Sequence, residues 1–191
     1  MARLVVPLVL CQVLAGCGLL KEPVLDNDLA DDAAALEFVV DARGHTTGLA
    51  YAVDPQDVPQ NVSLAMDRLH PGGPYAGAER HVRGLQVTWQ LSRLVDGLRI
   101  DARFETDGTL VEEALELALE DAPETVRELV AERFPGGENP RWAKVRDGAG
   151  QLTAYHVRFQ LDAQIYRVSL APDGRILGLW RQLPATVDLP L

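Results

Sequence analysis

The feature that most constrains how this 191-residue chain can fold is an internal repeat with a fixed offset of 64 residues. The two copies span residues 57–73 and 121–137, and six aligned positions are identical: Asp, Pro, Val, Pro, Gly and Gly. A repeated segment indicates that one supersecondary unit is built twice along the chain. The repeat therefore predicts two units of the same design.

Each copy has the pattern of a short amphipathic helix. Pro59 and Pro123 suit the first helical position, because proline has its φ already set and no amide hydrogen to leave unpaired. The Pro-Gly-Gly that closes each copy ends the helix, since proline cannot continue it and glycine accepts a left-handed conformation. Apolar residues recur at helical spacing: Val62, Ala65, Met66 and Leu69 in the first copy, and Val126, Leu129, Val130 and Phe134 in the second. We predict helices over residues 59–69 and 123–134.

After each helix, apolar residues alternate with polar ones, which is typical of half-buried strands, and Asp-Gly pairs between these runs favour tight turns. Segment 111–120 is rich in Glu, Ala and Leu, which favour a helix, but its alternation favours a strand, and we predict a strand. The sequence thus predicts an α+β fold, with two repeats of a short helix followed by a three- to four-stranded antiparallel meander. The units would span residues 34–110 and 111–191.

The N-terminal residues form a separate segment. Residues 1–16 have a positive start and an apolar core too short to span a bilayer, which indicates a signal peptide. The ending Leu-Ala-Gly-Cys at residues 14–17 resembles the bacterial lipobox, which implies that Cys17 is lipidated and becomes the new N-terminus. The alternative is a plain secretory signal in which Cys17 is incidental. Residues 17–33 then form an acidic tether.

The lipobox resemblance also implies a location. Gly18 follows the cysteine, where an Asp would imply retention in the inner membrane. We therefore predict a lipid-anchored protein of the cell envelope, held at the outer membrane and facing the periplasm. Two or three acyl chains anchor durably, whereas a single chain is marginal.

A second resemblance concerns the repeat. Its features are Pro-x-x-Val, a helix that ends in Phe-Pro-Gly-Gly, and strands that include Tyr155 and are separated by Asp-Gly pairs. Together these features resemble the PepSY and PepSY-like domains of bacterial cell-envelope proteins. The second copy matches better, because His70 replaces the aromatic residue in the first. This resemblance implies a helix packed across an antiparallel sheet, in protease propeptides and in proteins that modulate envelope partners. The tandem plan is also similar to that of β-lactamase inhibitor proteins, whose disulfides a mature chain with Cys17 alone cannot form.

Composition and motifs exclude several functions. With 28 acidic against 18 basic residues and a net charge of −10, the chain lacks the basic footprint that nucleic-acid binding requires. The histidines have no partner at ligand spacing, and no nucleophile elbow or phosphate loop occurs, so we predict no metal, cofactor or catalytic residue. His70 is predicted to pack or cap, and His156 to lie on a sheet face. Four aromatic residues on predicted strands are expected in the core: Trp89, Trp142, Tyr155 and Trp180.

Three functional classes follow. The leading one is a non-catalytic binding or regulatory module, in which the open face or an edge of the sheet engages an envelope protein and inhibits or modulates it. The alternative is a structural or transport-accessory lipoprotein that holds a small apolar ligand. An enzyme is the third class, and no nucleophile, base and orienting group can be assigned from the sequence.

Overall fold

Ten antiparallel strands pair in chain order into one sheet in this computed structural model, which describes residues 36–41 and 43–183. The strands are β1 Leu36–Val40, β2 Thr46–Val53, β3 Tyr75–Arg83, β4 Gln86–Val95, β5 Leu98–Glu105, β6 Leu110–Leu117, β7 Glu138–Asp147, β8 Leu152–Leu161, β9 Gln164–Leu170 and β10 Ile176–Gln182. Helix α1 (Gln60–Leu69) connects β2 to β3, and helix α2 (Glu124–Arg133) connects β6 to β7. Neither of these described helices is both long and apolar enough to cross a bilayer.

The predicted fold class is wrong. The fold is mostly β, a curled half-barrel with two short helices, rather than two α+β repeats of a helix followed by a meander. A strand also precedes each helix, since β2 leads into α1 and β6 leads into α2. The physical reason is that β6 pairs with both β5 and β7, which leaves no open sheet edge in the middle of the molecule.

The individual helices do lie where the sequence pattern predicts them, with small differences at their ends. Pro59 and Pro123 occupy the N-cap, one position before the first helical residue. His70 and Phe134 are the matching C-caps, and their backbone amides donate to carbonyl oxygens four residues earlier. The contested segment 111–120 forms strand β6 and then a short 3₁₀ turn, Leu119–Asp121, so the strand prediction is confirmed for most of it.

Both helices pack on the same face of the sheet, which we call the helix face. Val62 and Met66 of α1 are fully buried against strand residues that include Leu91 and Phe104. Val126 of α2 is fully buried in a second cluster with neighbours that include Trp142. The hydrophobic core therefore consists of two clusters, one under each helix, on one side of a continuous sheet.

The N-terminal segments and the boundary between the two units stay predictions. The signal peptide (1–16) and the tether (17–33), including Cys17, lie outside the described residues. The division of the chain between residues 110 and 111 stays a prediction, and the sheet itself is continuous through β6.

Candidate functional site

The side chains that point away from the helices form the second face of the sheet, which we call the concave face. Its registered residues are polar or charged along most of β3 to β9, and no described helix packs on them. Those used below are Glu79, His81, Gln90, Ser92, Arg99, Asp101, Arg103, Glu112, Glu116, Arg141, His156, Arg158 and Arg167.

The sheet curls into a half-barrel, and the electrostatics of this face agree with that curvature. Glu79 lies on β3 and Arg167 on β9, so in a flat sheet they would be roughly 29 Å apart at about 4.8 Å per strand. The hydrogen bond from His81 lowers the pKa of the Glu79 carboxyl most. Burial raises this pKa, and the positive charges of Arg99 and Arg167 lower it again. Charges about 29 Å apart would be screened, so the effect of Arg167 on Glu79 fits a sheet that curls and brings β9 towards β3 around a trough.

The burial of small polar residues leads to the same conclusion. Thr88, Ser92 and Ser169 are between 2% and 8% exposed although no described helix covers them. Their shielding therefore comes from the neighbouring strands of the curled sheet. The concave face is a trough with a closely packed floor and charged walls.

Several side chains in the trough are held by hydrogen bonds. Ser92 Oγ donates to Asp101 Oδ1 at 2.5 Å, and Arg99 bonds both the same carboxylate oxygen, at 2.8 Å, and Ser92 Oγ, at 2.7 Å. One strand further along, Arg103 pairs with Glu112 at 2.9 Å. These hydrogen bonds hold the side chains in one conformation in the free protein. Binding then costs less conformational entropy.

His156 lies on this face, as predicted, but its setting was not foreseen. It is opposite Ser169 on β9 and Ala143 on β7. Burial lowers the pKa of its imidazole, the charge of Glu112 raises it, and the charges of Arg167 and Arg103 lower it again. The trough therefore favours a neutral imidazole.

Three arginines lie in register at one end of the concave face. Arg141 of β7 is opposite Arg158 of β8, which is opposite Arg167 of β9. We call these three residues the arginine row. All three are exposed, and like charges placed directly opposite each other destabilise a sheet, so packing gives no reason for this arrangement.

Trp180 extends the arginine row onto β10, where it pairs with Arg167. The guanidinium of Arg167 lies 4.9 Å from the centre of the indole ring. The ring also lies against Gly178, where a Cβ would collide with the indole atoms. The core prediction for Trp180 is therefore wrong, since the side chain is 38% exposed, whereas Trp142 is 3% exposed and lies in the α2 cluster.

The other residues singled out by sequence lie on the helix face. His70 caps α1, as predicted, and its Nε2 lies 2.8 Å from Glu113 Oε2. Glu113 is also 3.7 Å from Arg146 Nη1, so three charged or titratable side chains meet at this point. Trp89 and Tyr155 pack against the α1 and α2 clusters respectively, which confirms the core prediction for both.

The arginine row was missed because its signal depends on strand register. Arg141, Arg158 and Arg167 are far apart in the chain, and the sequence shows each as a single polar position in an alternating strand. Strand pairing alone puts them side by side. The only usable signal was that each occupies an outward position next to a buried residue: Trp142, Val157 and Val168.

Cavities for a small ligand are modest in the described part of the chain. Two depressions measure about 110 and 280 Å³, and both are open to solvent. The first lies at the other end of the trough, near His81 and Arg103, and the second between α1 and β6. Typical small-molecule pockets enclose about 300–1,000 Å³. No cluster of metal-ligating side chains occurs among residues 36–41 and 43–183.

Comparison with known proteins gives likenesses of structure alone. No family model matches the chain. No curated protein matches it either. A Bacteroides eggerthii structure described as periplasmic is 18% identical with a TM-score of 0.49, and the match covers 65% of this chain and 88% of that one.

Two further solved structures are similar to a comparable degree. A DUF2874 family protein from Bacteroides uniformis is 17% identical with a TM-score of 0.48, over 64% of this chain and 88% of that one. A BLIP-like protein from Bacteroides fragilis is 13% identical with a TM-score of 0.46, over 69% of this chain and 91% of that one. All three TM-scores are below 0.5, so the proposals that follow depend on the residues of this chain.

Proposed function

We propose that this protein is a non-catalytic binding module of the cell envelope, anchored through Cys17, and that its concave face binds and modulates a protein partner. The observation that carries the proposal is a charged trough, partly ordered by its own hydrogen bonds, with no described helix packed on it. Both core clusters lie on the opposite face, so the residues of the trough are free to serve recognition.

The residue types fit this role. Protein interfaces are enriched in arginine and tryptophan, which also dominate the residues that carry most binding energy. Arg158, Arg167 and Trp180 are all exposed at one end of the trough. The scaffold beneath them is a ten-stranded sheet, which holds the binding residues more precisely than a loop would.

Photo-crosslinking in the native host tests the binding surface. A crosslinkable residue replaces Gln86 or Gln160, at two places on the concave face, and Glu128 serves as the control on the exposed side of α2. We expect a discrete adduct of higher mass from the two concave positions and none from the helix. Equal adducts from position 128, or none from either concave position, would refute the proposal.

The anchor is tested separately. Replacing Cys17 with Ser should abolish labelling by radioactive palmitate and release the protein from the membrane fraction, because no other cysteine follows position 17. Labelling that survives the substitution would contradict lipidation at Cys17. Lipidation matters for function because tethering raises the effective concentration of the trough near other anchored proteins.

A further inference from the structure

We propose that the arginine row, together with Trp180, binds an acidic loop of the protein partner through two or more Asp or Glu side chains. This inference rests on the proposed function, because it names the chemistry that the concave face recognises. It starts from the register of β7 to β10, which puts three guanidinium groups and one indole side by side on the concave face.

The arginine row differs from the other arginines of the trough. Arg99 and Arg103 each form an ion pair within 4 Å, with Asp101 and Glu112. Within residues 36–41 and 43–183, the three arginines of the row form no such pair. Arg158 donates to the amide oxygen of Gln182 at 3.4 Å, and Arg167 lies over Trp180. The chain contains 28 acidic residues, so a shortage of carboxylates does not explain why the row has no ion pair.

The spacing suits carboxylates on an extended segment. Neighbouring strands are about 4.8 Å apart, so the row spans roughly 10 Å at the level of the backbone. Side chains on one side of an extended segment recur every 6.5–7 Å or so, and two alternating acidic residues therefore fit along the row. Guanidinium groups can hold carboxylates by two parallel hydrogen bonds, which gives direction as well as attraction.

Trp180 adds an apolar contact that is already in place. The absence of a Cβ at Gly178 lets the indole lie against the strand, and Arg167 covers part of the ring. A rigid aromatic residue beside charged donors suits a loop that carries an apolar residue next to its acids. A free inorganic anion would make no use of the indole.

The shape of the trough favours a protein loop over an anionic membrane. A flat lipid surface cannot reach into a concave face, and the same trough carries the carboxylates of Glu79, Asp101, Glu112 and Glu116, which repel a densely negative surface. A narrow loop can meet the arginine row with a few acidic side chains, whereas a flat surface would face all four carboxylates at once.

The binding test uses the purified full chain in detergent and a defined probe. The probe is a fluorescein-labelled, end-capped peptide, Glu-Thr-Glu-Thr-Glu, and its uncharged control is Gln-Thr-Gln-Thr-Gln. Fluorescence anisotropy measures both at low salt. The test variant is R158Q/R167Q, and the control is R133Q/R181Q, which removes the same charge from α2 and from the helix face of β10.

The expected result is binding of the acidic peptide by the wild type and by R133Q/R181Q, at least tenfold weaker binding by R158Q/R167Q, and no binding of the Gln peptide. Equal affinities of the two variants, or no binding of the acidic peptide at 1 mM, would overturn the proposal. Phosphatidylglycerol vesicles and inorganic phosphate serve as competitors. If the vesicles or the phosphate displace the labelled peptide at a lower concentration than unlabelled peptide does, the assignment to a protein loop is overturned.

Thermal unfolding separates recognition from structure. Because the row places like charges side by side, R158Q/R167Q should melt at the wild-type temperature or above it, and a clear fall would assign the row a structural role instead. The adduct from position 160 should also weaken in this background. If the peptide results fail but crosslinking from positions 86 and 160 persists, the inference about the row is lost and the proposed function stands.

Discussion

The two faces of the sheet are built from the same ten strands and differ in what they do with alternate residues. On the helix face, residues such as Leu91 and Phe104 are almost completely buried under α1. On the concave face, the next residues along the same strands are Gln90 and Arg103, which end in polar groups and are covered by no described helix. One face buries the apolar side chains under the two helices, and the other presents polar side chains that no described helix covers.

The largest expected effect comes from truncating a core residue beside a matched trough residue. Leu91→Ala should lower the free energy of unfolding by about 2–5 kcal/mol, because it leaves a cavity under α1. Gln90→Ala, one residue away on the other face, should change it by no more than about 0.5 kcal/mol. Urea denaturation measures both. Similar losses for the two variants would break the contrast between the faces.

The next largest difference in stability is expected between substitutions of two neighbouring carboxylates on β6, Glu113 and Glu112. Glu113 lies on the helix face, with a side chain only 9% exposed, between His70 and Arg146. Glu113→Ala should cost about 1–3 kcal/mol, since it removes the acceptor of a buried hydrogen bond. Glu112→Ala removes the more exposed partner of Arg103 and should cost at most about 1 kcal/mol. The same urea titration decides whether the order holds.

Glycine positions on the concave face sharpen the comparison further. A methyl group at Gly178 would collide with the indole of Trp180, whereas one at Gly77 would meet nothing within 4 Å. Gly178→Ala should therefore displace Trp180, change the near-ultraviolet circular dichroism and weaken binding of the acidic peptide, with little loss of stability. Gly77→Ala should leave the spectrum and the binding unchanged. An unaltered spectrum for Gly178→Ala would show that the indole does not depend on that glycine.

The smallest expected effect is the pH dependence that His156 contributes. Burial, first of all, lowers the pKa of this imidazole below 6.5, so the unfolded chain binds the proton more readily than the folded one. His156 therefore adds stability above about pH 6.5, and that contribution is lost as the pH falls through the folded-state pKa. Between pH 7 and pH 5 the wild type should lose slightly more stability than His156→Gln.

A nuclear magnetic resonance titration provides the second readout for His156. Arg167→Gln removes a positive charge that lowers the pKa, so the pKa of His156 should rise in this variant. An unchanged pKa would mean that Arg167 and His156 do not share the trough. A steeper pH dependence for His156→Gln than for the wild type would reverse the expected sign.

The sequence predicted local structure well and the assembly of the sheet poorly. Helices α1 and α2 follow from proline, apolar spacing and Pro-Gly-Gly, all of which act within a dozen residues. Strand β6 was recognised because alternation outweighed helix propensity. The fusion of all strands into one sheet was missed, since pairing of β6 with β5 and β7 depends on contacts between distant segments. The arginine row was missed for the same reason.

By itself, the sequence determined the two helices, the alternation that gives the strands two different faces, and the lipobox-like ending at Cys17. These features depend on backbone geometry and on short motifs, which neighbouring residues fix. Tertiary structure alone decided that the sheet curls, that Glu79 and Arg167 come within reach of each other, and that three arginines share one end of a trough. The reason is that strand register and sheet twist are set by packing over the whole domain, and no local pattern encodes which outward-facing residues become neighbours.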